Sequence, residues 1–318
     1  MRVHFLASTL VRGGAETMAV ALSERLARRG HEVRWSLLRE PGVLGEDLAN
    51  RLDLRAGLAP GRYPWSAMGA LRARLAGSEA LYVLDHQNAV VPAALAAPWA
   101  GVRRRVVAIH TTGRWGGRPS LPAAFRRALG GYHAVLALSP AHAAYLAAEE
   151  GVPKAKIRIV PNGIDLDRFS ALPTREEARR RLDLAADAVV VGMVAMLRPE
   201  KNHMLLLNAL APLRPRYPGL RVLLAGDGPE RGPLEARAAR EDLRGAVRFL
   251  GSVERVVELL PALDLLALTS LPAVETQPVS VLEAMASGVP VVATRVGDLE
   301  TLLEGGMAGA LVPPGNAR

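Results

Sequence analysis

Two glutamates, Glu275 and Glu283, bracket the seven residues TQPVSVL, none of which ionises. Carboxylates at that spacing could serve as an acid and base pair or as two separate hydrogen-bond acceptors. The run before them, Asp264 to Ser270, reads as a strand, and Pro278 suits the first turn of a helix, where its missing N–H costs nothing. Glu275 is then expected in the loop before that helix, and Glu283 about two turns into it. The N–H groups of Val279, Ser280 and Val281 open the helix without intrahelical acceptors, forming a positive backbone pocket suited to phosphate. Each acid could accept hydrogen bonds from sugar hydroxyls, one on either side of that phosphate. Sugar, diphosphate and ribose in a row are what a nucleotide sugar presents.

Other loops offer compatible chemistry. In AMLRPEKNH, Arg198 and Lys201 follow an apolar run and flank Pro199 at an expected helix start. Two cations there could clamp a diphosphate. As plain surface charges they would oppose the helix dipole unless an anion joined them. RVLLAGDGPERG places Gly226, Gly228 and Gly232 after another run, with a spacing one residue too long for the dinucleotide fingerprint. AVRFLG supplies no acid about twenty positions on, so NAD is disfavoured and a nucleotide-facing turn is retained. VRGGAE sets Gly13 and Gly14 ahead of a helix, where backbone N–H groups could approach a phosphate or sugar, or where the chain simply turns. His110, in AIHTTG, leaves the end of a strand either as a polar group at a site edge or as a structural histidine.

These loops need strands to hold them. The runs RVHFLA, HEVRWSLL, ALYVL, RRVVAIH, AVLALS and KIRIVP precede position 162, and each is followed by a longer amphipathic segment. That alternation signals parallel strands joined by crossover helices. Residues 161 to 187 interrupt it with turn residues, prolines and a charged helix. A second series then runs VVVGMVAML, RVLLAG, AVRFLG, DLLALTS, VPVVAT and GALVPP. The expectation is an α/β protein of two Rossmann-like, doubly wound parallel-sheet domains facing a cleft, with function in the loops after strands.

Composition agrees with that reading. At 318 residues the chain is long for one core, so two domains of roughly 150 residues are expected. With 50% hydrophobic and 4% aromatic residues, disorder, collagen and coiled coil are poor readings. Cysteine is absent, which removes disulfide and thiolate chemistry. The start reads as a strand rather than a signal peptide, and no uninterrupted apolar span reaches ~18 residues. A net charge of +9 favours anionic partners: phosphates, acidic lipid or nucleic acid. Without a reader motif or an aromatic-interleaved basic strand, nucleic acid is disfavoured.

With these residues in view, the sequence resembles the family 4 retaining glycosyltransferases of the GT-B fold. The resemblance rests on VRGGAET, AIHTTG, IVPNGIDLDRF, VAMLRPEKN, LLAGDGPE and, above all, ETQPVSVLEAMASGVPVVATRVGDLE. It implies that Arg198 and Lys201 bind the donor diphosphate, that Glu283 holds the ribose, and that Glu275 stands near the transferred sugar. His110 would face that sugar from the other domain, and Gly13 with Gly14 would close over the donor. Chemistry in this family is thought to be front-face displacement with retention, dominated by leaving-group stabilisation and needing no metal. Asp165 and Asp167 spell the D-x-D pattern that binds a divalent cation in another glycosyltransferase fold. Here they fall in the connecting segment, and no metal site is expected.

The expected boundaries are an acceptor-side domain over 1–165, a connecting helix and linker over 166–187, and a donor-binding domain over 188–318. Relatives continue past the strand at which GALVPPGNAR stops, so the second domain reads as truncated. Thr276-Gln277 stands where relatives often carry Gly-Phe, which leaves base and sugar preference open between UDP and GDP types. The expected activity is retaining, metal-independent transfer of a sugar from a nucleotide diphosphate to a sugar, lipid-linked or small-molecule acceptor, in cell-surface polysaccharide or glycolipid synthesis. A sugar-nucleotide epimerase of similar architecture and a non-catalytic nucleotide-sugar-binding protein are the alternatives. PGRYPWSAMGALRARLAG and GRWGGRPSLPAAFRRALGG are basic, Trp-containing segments read either as solvated surface or as peripheral contacts with an anionic membrane. The compartment expected is the cytoplasm or the inner membrane face.

Overall fold

The computed structural model describes residues 1–59, 67–84, 87–112, 122–272 and 275–315. It divides into two compact units, Met1–Asn162 and Gly163–Arg318. Each unit is a parallel sheet with its own core, as the alternating apolar runs and amphipathic segments require.

In the first unit the strands are β1 (Arg2–Ala7), β2 (Glu32–Leu37), β3 (Asp53–Arg55), β4 (Ala80–Leu84), β5 (Arg104–Ala108), β6 (Ala134–Ala137) and β7 (Ile157–Ile159). They lie in the order β3-β2-β1-β4-β5-β6-β7. One apolar cluster packs Ala19, Val20 and Leu48 against Phe5, Trp35 and Leu37. A separate cluster joins Leu71, Leu75, Val90 and Phe125 to Leu81, Val83 and Val107. Sequence patterning misses β3. It is a three-residue edge strand whose outer residues are charged, so no apolar run announces it. As a result RRVVAIH is the fifth strand of the sheet rather than the fourth.

The second unit has β8 (Val189–Val194), β9 (Leu220–Ala225), β10 (Val247–Gly251), β11 (Leu265–Leu268), β12 (Val291–Thr294) and β13 (Gly309–Val312). Their order is β10-β9-β8-β11-β12-β13, all parallel. Runs such as LRVLLA are buried nearly throughout because helices cover the sheet. Both sheets are doubly wound. Strand order reverses between β1 and β4 in one and between β8 and β11 in the other, and such sheets bind ligands at the carboxyl ends of the strands beside that reversal.

The segment 166–187, expected as a linker, folds within the second unit. Thr174 caps helix Arg175–Arg181 through a reciprocal capping box with Glu177. Arg179, 3% exposed, then reaches Asp264 Oδ2 at 2.7 Å and the carbonyls of Ala262 and Ala186 at 3.2 and 2.6 Å. Asp264 also accepts from Val190 N at 2.8 Å and pairs with Arg175. A guanidinium buried this deeply is stable only because carbonyls and a carboxylate satisfy it. Arg175 and Arg179 therefore anchor this helix to the start of β8 and β11.

Candidate active site

The site begins where β8 ends. Leu197 N donates to Asp227 O at 3.0 Å and Glu230 N donates to Leu197 O at 3.0 Å, so the loop after β8 interlocks with the loop after β9. Gly226 makes this possible. Its φ is +146°, and a Cβ there would lie 2.0 Å from Ala195 O; at Gly228 the same atom would lie 2.4 Å from Leu197 O. The close approach these glycines permit is to the chain's own backbone. Gly232, the third glycine of that run, sits in helix Arg231–Ala238 with nothing near its missing side chain.

Beyond the interlock, Pro199–Lys201 forms one tight turn and Asn202 adopts a left-handed conformation at φ +51° before helix His203–Leu210. The carboxyl end of β11 holds this turn. Thr269 shares its hydroxyl between Lys201 O at 3.1 Å and Asn202 O at 2.9 Å, and Leu271 N donates to Glu200 O at 2.8 Å. Arg198 and Lys201 are thereby fixed beside the strand reversal.

Glu275 arrives from the loop after β11. It is 7% exposed, and its Oε2 accepts from Lys201 Nζ at 2.5 Å and from Ser270 Oγ at 2.8 Å. Ser270 is itself anchored, because Thr294 donates to its carbonyl at 2.7 Å. Gly297, at φ +58°, lies so close beneath the loop that a Cβ would meet Glu275 O at 2.5 Å. Asp298 N donates to Thr276 O at 2.8 Å, and the Asp298 carboxylate accepts from Gln277 and Thr301. Burial raises the Asp298 carboxyl above its ordinary range, with those two hydrogen bonds opposing the shift. The anion beside Lys201 in this structure is thus the protein's own carboxylate, which answers the helix-dipole objection without a ligand.

Pro278 is the residue before helix Val279–Ala286 rather than part of its first turn. Val279 and Ser280 open the helix, and no hydrogen-bond acceptor for their N–H groups is found among the described residues. Val281 corrects the expectation: its N–H donates to Pro278 O at 3.2 Å and its side chain is fully buried, so it offers the pocket no donor. Glu283 lies on the same helix, 7% exposed. Arg168, in the short turn Leu166–Phe169, brings Nη1 to 3.7 Å from Glu283 Oε1. Burial raises the Glu283 carboxyl above its ordinary range, and the Arg168 charge pulls it back.

The remaining expected residues belong to the first unit. Gly13 precedes helix Gly14–Arg28 at the carboxyl end of β1, with Thr17 N donating to Gly13 O at 3.0 Å. A Cβ on Gly13 would meet the Glu16 carboxylate at 2.4 Å, because Glu16 folds back over the helix start from the capping-box position. His110 follows β5, half-buried, two strands from β1 at the same edge of the sheet. Asp165 Oδ1 accepts from Asp167 N at 3.3 Å, so half of the D-x-D pattern is a local cap. Among the described residues no cluster of three His, Asp or Glu could hold a metal ion.

Arg198, Lys201, Glu275, Val279, Ser280 and Glu283 are therefore placed by loops and a helix at one edge of one sheet, and Gly226 and Gly228 shape the loop beneath Arg198. Sequence reasoning misses Thr269, Ser270, Thr294, Gly297 and Arg168. Three of them are small hydroxyl residues at strand ends, with no local signal. Thr294, Gly297 and Arg168 lie inside quoted motifs, yet nothing in those motifs marks them as partners of residues distant in the chain.

Comparison with known proteins adds an independent view. Residues 12–168 match the profile described as Glycosyltransferase Family 4, and residues 188–318 match Glycosyl transferases group 1. The chain is 31% identical over 302 residues to the putative glycosyltransferase EpsF of Bacillus subtilis (strain 168), covering 91% of this chain and 78% of that protein. It is 39% identical over 178 residues to D-inositol 3-phosphate glycosyltransferase of Corynebacterium urealyticum, covering 52% of this chain and 41% of that protein. Among solved structures, Anabaena HepE in complex with UDP and glucose superposes with a TM-score of 0.85 at 26% identity, covering 100% of this chain and 87% of that one. HepE with UDP-glucose gives 0.84 at 25%, covering 100% and 86%.

Proposed function

Because this chain belongs to the family 4 glycosyltransferases and has their GT-B fold, we propose that it transfers a sugar, with retention, from a UDP-type nucleotide sugar bound at the carboxyl edge of the second sheet. The observation that carries the reading is the Lys201–Glu275 pair, built from loops after β8 and β11, the two strands at which strand order reverses. UDP is preferred over GDP because HepE, similar over the whole chain, is a UDP and UDP-glucose complex.

As the bond between the sugar's anomeric carbon and the diphosphate breaks, negative charge gathers on the leaving phosphate oxygen. Arg198, Lys201 and the Val279 and Ser280 N–H groups are the donors that would meet it, already fixed before substrate arrives. Lys201 carries three protons, so it can keep Glu275 while turning another proton to phosphate. Glu283 would accept from the ribose hydroxyls and Glu275 from a hydroxyl of the transferred sugar. The acceptor hydroxyl would attack the face that the diphosphate leaves, passing its proton to the departing oxygen. His110, Gly13 and Gly14, at the carboxyl ends of strands in the first unit, are proposed to serve the sugar and phosphate. Residues 1–162 are proposed as the acceptor side and 163–318 as the donor side.

The epimerase alternative loses its footing because both halves match glycosyltransferase profiles. The experiment is a thermal-shift series with UDP, GDP, ADP and NAD, followed by transfer assays with the matching nucleotide sugar. Stabilisation by UDP that Glu283→Ala abolishes supports the site. Indifference to every nucleotide overturns it.

A lipid-linked acceptor is supported by a separate observation. Leu95 and Trp99, 43% and 68% exposed on helix Gln87–Trp99, are followed in the chain by exposed Arg103 and Arg104, a combination suited to an acidic membrane surface. Much of the two basic segments expected to make that contact, residues 60–66 and 113–121, lies outside the described residues. Among the described residues no helix is long and apolar enough to cross a membrane, and the proposed contact is a peripheral one. Co-sedimentation with phosphatidylglycerol vesicles at low salt, lost in Trp99→Ala with Arg103→Glu, is the expected result.

A further inference from the structure

Glu283 is a buried carboxylate with a partner that no part of the proposed chemistry uses. It is 7% exposed on helix Val279–Ala286, whose apolar residues Val281 and Ala284 are fully buried. A carboxylate so placed is costly to keep ionised without compensation. Arg168 supplies it from 115 residues earlier in the chain, with Nη1 at 3.7 Å from Oε1. Among the described residues it is the charged group that acts on Glu283, and its effect opposes that of burial. The turn that presents it is fixed locally: Asp165 accepts from Asp167 N, Arg168 N donates to Asp165 O at 3.1 Å, and Ser170 Oγ donates to Asp167 O at 2.7 Å. The Arg168 side chain is 42% exposed, so it touches the acid without being walled in with it.

We propose that Arg168 is a positioning residue for the nucleotide: its guanidinium holds the Glu283 carboxylate in the charged, acceptor-only form that a ribose diol requires. The reason lies in hydrogen-bond inventory. A cis-diol presents two O–H donors, and an ionised carboxylate offers two oxygens to receive them, whereas a protonated carboxyl has converted one of these into a donor. The ionic separation leaves Arg168 free to turn as the diol arrives, so one group prepares the site and need not touch the ligand. The inference rests on the assignment of Glu283 to ribose above, and the experiment separates the two.

The sign follows from the charge. Binding needs ionised Glu283, so affinity falls on the acid side; removing the cation makes ionisation harder and moves that fall toward neutral pH. The probe is UDP-glucose, or GDP-mannose if the wild-type protein ignores UDP-glucose, because a sugar-capped diphosphate does not itself titrate between about pH 5 and 8. Calorimetric affinities are measured for wild type, Arg168→Gln, Arg168→Lys and Glu283→Gln. Arg168→Gln is expected to bind about two- to fivefold more weakly near pH 6, the range of a partly exposed ion pair, and to approach wild type near pH 8. Arg168→Lys should restore most of the loss, and Glu283→Gln should bind weakly with no acid limb. A uniform loss at every pH in Arg168→Gln would make Arg168 a direct ligand contact, and unchanged affinity would make it idle; either overturns the proposal. Unchanged affinity in Glu283→Gln, or no binding of either nucleotide sugar by wild type, would instead remove the ribose assignment beneath it. Melting of each variant without nucleotide guards against misfolding: loss of the partly exposed Arg168 should lower it only by the small amount typical of such a pair, far short of unfolding.

Discussion

Lys201 Nζ lies 2.5 Å from Glu275 Oε2, joining the loops that follow β8 and β11 across the strand reversal of the second sheet. Removing the cation should damage both halves of this arrangement. In Lys201→Ala, Glu275 keeps only the Ser270 hydroxyl among the partners described above, and the diphosphate loses a donor. The expected results are a stability loss of ~1–3 kcal/mol and at least a roughly hundredfold fall in kcat. Glu275→Gln should cost less stability, since the amide can still accept. Combining Glu275→Gln with Lys201→Ala should add little to the single lysine change, which a double-mutant cycle of melting and transfer rates would register.

Gly226 in the loop after β9 and Gly232 in the helix that follows it should not respond alike. Gly226→Ala forces a Cβ onto Ala195 O and should lower stability by ~1–3 kcal/mol while displacing Arg198, so the thermal response to nucleotide falls as well. Gly232→Ala meets nothing and sits within a helix, so it should be neutral or stabilising by up to ~1 kcal/mol, with nucleotide response intact. Equal losses in both would argue against the interlock.

Asp264 sets an acid limit on the second unit. Burial by itself would raise its carboxyl, but Arg175, the Val190 N–H and Arg179 outweigh that and hold it below its usual value. Its contribution is therefore present above the ordinary aspartate range and is lost as pH falls through the lowered value. Asp264→Asn should lower the melting temperature at neutral pH, and the gap to wild type should narrow as pH falls through the lowered Asp264 value, where the wild-type carboxylate takes up its proton.

The first unit has an opposite kind of titrating group. His4 is fully buried with Nε2 2.9 Å from Ser36 Oγ, and burial, then Arg74 and Arg34, hold its pKa down to about 3 against a weaker pull from Asp53. The folded form binds no proton where the unfolded form does, so this unit should lose stability as pH falls from about 6.5 toward 3. His4→Gln should flatten that slope, as read from melting temperature against pH; an unchanged slope would assign it elsewhere.

Most of the fold was legible because burial on both faces writes continuous apolar runs. All six strands of the second unit and six of the first stand where such runs occur, while β3 escaped because an edge strand of alternating charge carries no run. The candidate acids and cations were legible for a different reason: loops after strands are where ionisable residues have no packing role. The engagement of the Val281 N–H was not legible, because an N–H count from the helix start cannot tell which group the Pro278 carbonyl will take.

The amino-acid sequence by itself determined the two doubly wound units, the choice of Arg198, Lys201, Glu275 and Glu283 as candidates for the site, and the family, since each depends on residues near one another in the chain. Tertiary structure alone decided which charges meet. Lys201 finds Glu275 across 74 residues and Arg168 finds Glu283 across 115, because strand order in a sheet is set by crossover connections rather than by chain distance. The glycines show the same division. Their positions are plain in the sequence, yet that Gly226 makes room for Ala195 O and Gly297 for Glu275 O follows only from where neighbouring loops emerge, a matter of ångströms no local pattern encodes.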